Sequence, residues 1–169
     1  NALKKDDKTP DLILKLSDSF RYLLHQGQKE KVTIKQEIQH LENYINLQQE
    51  RLSNKILVDF STDIDKEKEP IPPLLFIAFV ENAFKFSSLL KGEKHQVNID
   101  FQLKNKEILF ICENPYNEKA KQEIDIEWKE SGIGIKNTKK RLQLLFPNKH
   151  QLKIEEDNEN FKVTLKIQL

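Results

Sequence analysis

Glu81, Asn82 and Lys85 follow a stretch that is apolar almost without a break from Leu74 to Val80. A run of that kind predicts a helix buried on most of its circumference. Polar groups on such a helix are costly unless they are paired or put to use, so this edge is a candidate ligand site. A second candidate lies downstream in Ser131-Gly132-Ile133-Gly134-Ile135-Lys136-Asn137, which leads into a helical run ending at Phe146. Two glycines at a spacing of two, directly before a helix, let the backbone approach an anion. The helix start then offers N–H groups and partial positive charge to a phosphate. The chain has only four glycines, and two of them are here. A plainer reading stands beside each: a core helix whose polar end meets solvent, Lys85 as a solvated charge, and Asn137 as a helix cap.

The elements that must position these residues can be read in order. Pro10-Asp11 opens a helix with Leu12, Leu16, Phe20, Leu23 and Leu24 on one stripe, ending near Gly27. Thr33-x-x-Gln36 predicts a capping box for a second helix, on which Ile34, Ile38, Leu41, Ile45 and Leu52 form an apolar face. Ile56, Val58 and Phe60 alternate as a strand, and the polar run 61–70 predicts a loop. Pro72-Pro73 fits the start of the apolar helix, because proline at the first helical position gives up no needed N–H. Val97, Ile99, Phe101 and Leu103 alternate as a strand, Asn105 turns, and Ile108–Glu113 forms another. Residues 114–131 lack periodicity and predict a lid or loop. Helix 135–146 follows, then strands around Leu152–Glu155 and Phe161–Ile167 with a turn at Asp157-Asn158-Glu159-Asn160. This order predicts an α/β sandwich, with helices layered on one face of a mixed sheet and ligand held between helices and lid.

Composition narrows the function classes. Charged residues make up 33% of the 169 and hydrophobic ones 37%. The longest apolar stretch, Leu74–Val80, is far too short to span a bilayer, so no direct membrane contact is expected. Net charge is +1 with Lys and Glu interspersed, which argues against nucleic acid. The single cysteine, Cys112, excludes an internal disulfide, suits a reducing compartment, and reads as a small buried hydrophobe. No secretory signal is expected.

Glu81-Asn82-Ala83-x-Lys85-Phe86 resembles the N-box of histidine kinases and their gyrase-like ATPase relatives. Gly132-x-Gly134-x-x-Asn137, followed by Lys140-Arg141-Leu142, is similar to their G2-box. Leu16-Ser17-Asp18-Ser19-Phe20-Arg21-Tyr22-Leu23-Leu24 and the segment from Ile34 through Glu37, His40, Leu41, Tyr44 and Arg51 to Leu52 look like LytS-type sensor histidine kinases. The resemblance covers about residues 10–169. It implies a two-layer Bergerat-type ATP-binding domain over 54–169, preceded over 1–53 by a helical hairpin left from the dimerisation and phosphotransfer region. By the same resemblance the ligands are ATP and Mg, with Asn82 facing the metal. Glu81 accepts a proton or orients the nucleophile, and Lys85 reaches toward phosphate. Gly132 and Gly134 shape the loop over the phosphates, and Asn137 contacts phosphate at the helix start. The implied partners are a response regulator and a second copy, joined as a homodimer through the N-terminal helices. The implied location is the cytoplasmic part of a membrane-bound sensor.

The chain departs from that pattern in places. Phe86 stands where relatives commonly carry histidine. The region of the G1-box, whose aspartate reads the adenine amino group in the family, is Cys112-Glu113-Asn114-Pro115-Tyr116; either Glu113 or Asn114 replaces that acceptor, depending on register. No Pro-His-Phe motif occurs, so the phosphoacceptor is expected upstream and the chain reads as a fragment cut after it. His40 reads as a solvated helix histidine, His25 as a complement to a helix dipole, and His95 and His150 as turn residues. No Cys/His spacing suggests zinc. A degenerate nucleotide-binding or dimerising module is the alternative to an active kinase. A gyrase-type ATPase is disfavoured by the helices at 10–53.

Overall fold

The computed structural model of the protein describes residues 8–92, 94–119 and 132–169. Helix α1 (Lys8–Arg21) runs into a wide turn of π type at Tyr22–Gln26. Strand β1 (Val32–Thr33) leads directly into α2 (Ile34–Arg51). The start of α2 follows the sequence: the Gln36 N–H donates to the Thr33 hydroxyl at 3.2 Å, and the Thr33 N–H donates to the Gln36 side-chain oxygen at 2.9 Å. Two helix-start donors are thereby satisfied reciprocally.

The sheet is built from β2 (Ile56–Ile64), β4 (His95–Lys104), β5 (Glu107–Pro115), β6 (His150–Glu156) and β7 (Asn160–Gln168), in the spatial order β2-β4-β5-β7-β6. Among the described strands only β2 and β4 are parallel. A parallel pair needs a crossover, and α3 (Ile77–Ser88) supplies it. The β4–β5 hairpin closes through Asn105 and Lys106, at φ 49° and 64°, the double left-handed pattern that matches strand twist in a two-residue turn. Between β6 and β7 the Asp157 carboxylate accepts the Glu159 and Asn160 N–H groups, each at 2.8 Å.

Alternation decides which face is covered. Val97, Ile99, Phe101 and Leu103 of β4, Ile108, Phe110 and Cys112 of β5, and Val163, Leu165 and Ile167 of β7 are buried, while the residues between them stay at least partly exposed. Phe76 and Phe79 pack onto this face, with the Phe76 ring 4.7 Å from Phe101 and 5.1 Å from Phe110. Ile34, Leu41 and Ile45 of α2 join the same core, as does Leu142 of α4 (Gly132–Leu145). The result is the expected two-layer α/β sandwich with a helical hairpin at its N-terminal end. In packing, however, α2 is a member of the sheet's helical layer, whereas α1 lies against α2 and, with the turn after it, leaves Ile13, Leu14, Leu16, Phe20, Leu23 and Leu24 exposed. No described helix is long and apolar enough to cross a membrane.

The structure corrects the sequence reading in several places. The apolar helix does not begin at Pro72-Pro73 but at Ile77, because Leu74 takes φ +63° and breaks the turn. The polar run 61–70 is not all loop: Thr62, Asp63 and Ile64 continue β2 against Phe101, Gln102 and Leu103, and β3 (Pro70–Ile71) pairs with β1. Helix α4 begins at Gly132, so both glycines fall in its first turn, not ahead of it. His40 is buried, not solvated. The Tyr22 ring stacks on it at 4.3 Å between centroids, and its neutral form is favoured: burial pushes its pKa down to about 4. Of the predicted lid, β5 takes residues through Pro115, and 120–131 lie outside the described residues.

Candidate functional site

The N-box residues sit where α3 passes from core to edge. Phe79, Val80, Ala83, Phe84 and Phe86 are buried, and Asn82 among them is 9% exposed. Its side-chain Nδ2 has no partner among the described residues. An amide held in a core with an unmet hydrogen-bonding group costs roughly 1–3 kcal/mol, a penalty that a bound polar ligand would relieve. Glu81, on the neighbouring edge, is exposed as a whole residue, yet its pKa is raised by desolvation while the Lys85 charge opposes the shift.

Glu81 and Lys85 share a groove of about 270 Å³ with Phe84, Ser88 and, from α2, Tyr44, Gln48 and Arg51. Burial, then the Glu81 charge, push the Tyr44 phenol well above its usual range, and Arg51 pulls the other way. The N-box edge therefore faces α2 directly.

Strand alternation separates Glu113 from Asn114. Asn114 is 2% exposed on the helix-covered face, and its Nδ2 donates to the Pro115 carbonyl at 2.8 Å. Glu113 lies on the opposite face, paired in register with Asn98 and Lys162. Beyond it, Tyr116 and Phe161 pack on Phe86 of α3, with ring centroids 5.1 and 5.0 Å away. The end of β5 that carries Asn114 thus meets the C-terminal half of α3.

On the other side, a methyl group on Gly134 would stand 3.6 Å from the Ala78 Cβ, so α4 lies close against the first turn of α3. Thr138 is buried and donates from its hydroxyl to the Gly134 carbonyl at 2.9 Å. Asn137 is exposed and sits a full turn inside α4, so it does not cap it. The structure therefore buries Asn82 and Asn114 on the helix-covered side, sets Gly134 against the start of α3 and Glu81 and Lys85 in the groove toward α2, and leaves Glu113 on the far face. Among the described residues no group of three or more His, Cys, Asp or Glu could hold a metal. A divalent ion here would draw on the Asn82 amide oxygen, phosphate oxygens and water, a donor set that suits magnesium.

Three residues matter to this arrangement although the sequence motifs that contain them assign them no role at the site: Tyr22, Glu37 and Arg141. Glu37 is fully buried, and burial pushes its pKa up to about 7 against the pull of the Tyr22 hydroxyl and the Leu74 and Leu75 N–H groups. One signal was in the sequence. Glu37 stands three residues after Ile34 and four before Leu41, on the apolar face of α2, where a carboxylate has no ordinary reason to be.

Comparison with known proteins identifies the family of the fold. Residues 74–168 match the GHKL domain family, and residues 1–56 match the histidine kinase family. Sensor protein LytS of Staphylococcus saprophyticus is 27% identical over 170 residues, covering 95% of this chain and 28% of that protein. The chain therefore spans less than a third of the length of the curated relatives it matches. Among solved structures, the histidine kinase domain of a blue-light-activated kinase from Erythrobacter litoralis superposes with a TM-score of 0.57 at 13% identity, covering 94% of this chain and 80% of that one. Full-length ShkA in complex with AMPPNP gives 0.55 at 14% identity, over 95% of this chain and 36% of that one. The chain belongs to the GHKL domain family, an ATP-binding family.

Proposed function

From a GHKL domain with a histidine-kinase segment ahead of it, we propose that this chain is the ATP-binding catalytic part of a sensor histidine kinase, with residues 1–53 the end of its dimerisation and phosphotransfer region and 54–169 its ATP-binding domain. Its substrates are Mg-ATP and a histidine outside this sequence, from which a response regulator takes the phosphoryl group. The apolar face of α1 joins two copies, and the kinase part works on the cytoplasmic side of a membrane-bound sensor. The buried Asn82 amide with its unmet hydrogen-bonding group is the observation that carries this reading.

Phosphoryl transfer is largely a matter of positioning and charge neutralisation. Asn82 would hold magnesium through its amide oxygen, leaving its unmet Nδ2 N–H to donate to a phosphate oxygen, and the ion would supply neutralisation of phosphate charge. Lys85 reaches the phosphates from the rim, and Gly132, Gly134 and Asn137 line the approach at the start of α4. Asn114 takes the place of the adenine-reading acceptor; its amide oxygen accepts from the exocyclic amino group. As the new P–N bond forms and the P–O bond to the leaving diphosphate breaks, the imidazole proton passes to a carboxylate oxygen of Glu81. A raised pKa suits that role, because a base works best when its affinity for the proton is not too weak. The AMPPNP in the ShkA structure supports a nucleotide in a fold of this kind.

Calorimetric titration with ATP, with and without magnesium, tests the reading. The unmutated chain should bind more tightly with magnesium. Asn82→Ala should lower the magnesium-dependent affinity by about tenfold or more and leave the melting temperature unchanged or higher. An alanine variant that binds Mg-ATP like the parent defeats the assignment.

A further inference from the structure

Four elements converge on Leu74, a residue outside every motif discussed so far. Its φ of +63° lies in the left-handed region, where a side chain with a Cβ is disfavoured. Its N–H donates to Glu37 Oε1 at 2.8 Å. Its carbonyl and that of Pro73 accept from the two terminal nitrogens of Arg141, at 3.2 and 2.9 Å. Glu37 is on α2 and Arg141 on α4, so the turn is gripped from two directions. The second Glu37 oxygen accepts the hydroxyl of Tyr22, at the end of α1. Gly27 closes the same region: a Cβ on it would fall 2.9 Å from Leu74 Cδ1 and 2.8 Å from the Leu23 carbonyl oxygen.

Strained backbone persists only where its surroundings over-determine it. A helix start by itself needs no more than a serine or asparagine cap, and α3 has no side-chain cap of its own. Instead a buried carboxyl and a guanidinium from two other helices hold the turn that leads into it, and a phenol from a third helical segment holds the carboxyl. Glu37 belongs to the helix that faces the N-box edge, and Arg141 lies two turns beyond Gly134, so both ends of the grip touch elements assigned above to the nucleotide.

We infer that Glu37 and Arg141 are positioning residues for the nucleotide site: they clamp the Pro73–Leu75 turn from opposite sides and tie the start of α3, and with it Asn82, to Tyr22 at the end of α1. A displacement of α1 then reaches Asn82 without any group of α1 touching the nucleotide. This rests on α3 and α4 being the nucleotide-binding elements.

The test uses the whole chain with Tyr22→Phe, Glu37→Gln, Glu37→Ala, Arg141→Met and the Tyr22→Phe/Arg141→Met pair, reading Mg-ATP affinity by calorimetry and amide hydrogen exchange at Leu74 and Leu75. Glu37→Ala should weaken binding about tenfold. Glu37→Gln keeps an acceptor for Leu74 and offers an N–H to the Tyr22 oxygen, so it should stay within about threefold of the parent. Tyr22→Phe and Arg141→Met should each weaken binding and quicken exchange at Leu74 and Leu75. Tyr22 and Arg141 act through one turn, so the double variant should depart from the product of the single effects by about threefold or more, whereas independent sites simply multiply. Multiplicative effects, or unchanged exchange in Tyr22→Phe, overturn the clamp. Should Glu37→Ala fail to fold, the phenylalanine and glutamine variants decide. A parent chain that binds no nucleotide defeats the kinase reading alone; the clamp then stands or falls on whether Tyr22→Phe and Arg141→Met quicken exchange.

Discussion

Helices α1 and α3 are both rich in large apolar residues, yet they have opposite fates. In α3, Phe79, Val80, Phe84 and Phe86 are buried against a sheet whose inner face is itself apolar. In α1, Leu14 is 64% and Phe20 55% exposed, although the helix is anchored to α2 by Lys15, which reaches Glu50 at 2.7 Å. The difference comes from topology. As the crossover of the parallel pair β2 and β4, α3 has no route except across the sheet. The first helix is attached by one end and one edge, and among the described residues its stripe stays exposed. An apolar stripe therefore states that a partner is needed, and only the connection between elements states whether the same chain provides it.

The largest break in that comparison should come from Phe79→Ala. It removes a fully buried ring beneath the sheet and should cost about 3–5 kcal/mol in chemical denaturation, with the association of the surviving folded protein unchanged. Equal loss of stability from truncating Phe20 would erase the distinction between the two helices.

The joint between the regions should show itself through pH. Burial raises Glu37 to about 7 from an ordinary 4.5, so its contribution to stability is full below about 4.5 and is lost as pH rises through 7. Burial lowers His40 to about 4 from 6.5, so its contribution is full above about 6.5 and is lost as pH falls through 4. Between those limits the slopes oppose each other, and the parent protein should have a shallow stability profile. Glu37→Gln should lose stability toward acid, and His40→Phe should lose it toward neutrality, each by about 2 kcal/mol across the window. Urea midpoints measured at pH 4.5 and 6.5 read this directly; parallel profiles for all three proteins would contradict it.

The smallest effect on folding should come with the largest on assembly. Phe20→Lys should change the stability of the folded unit by no more than about 0.5 kcal/mol, since the side chain is already exposed. Light scattering should nonetheless find it monomeric where the proposed role of the α1 face expects the parent to be a dimer. A parent that is monomeric at all concentrations would remove the proposed role of the α1 face.

Features whose cause is local were legible in the sequence. The Thr33–Gln36 cap, the period of two in β4 and the Asn105 turn depend on neighbours within a few residues, and all three stand as read. The start of α3 was not legible, because Leu74 is held by Glu37 and Arg141, 37 and 67 residues away. The far end of β2 was missed because Thr62 and Asp63 make an exposed edge that shows no apolar alternation. His40 looked solvated because the ring that covers it belongs to Tyr22 on another helix. At the candidate site the residue types were readable and their faces were not. Glu113 and Asn114 are chemically similar acceptors in sequence, and only the pairing of β5 between β4 and β7 puts them on opposite sides.

Cys112 gives the molecule a built-in reporter. The chain's single thiol is 2% exposed beneath α3, and its S–H points to the Phe79 carbonyl oxygen at 3.9 Å. Burial, with Glu113 adding to it, pushes the thiol up to about 12, so almost none of it is thiolate at neutral pH. Alkylating and disulfide reagents attack the thiolate, and they meet it only when α3 lifts from the sheet. The labelling rate of the unmodified protein is therefore a stopwatch for the opening of that layer, and it needs no engineered probe.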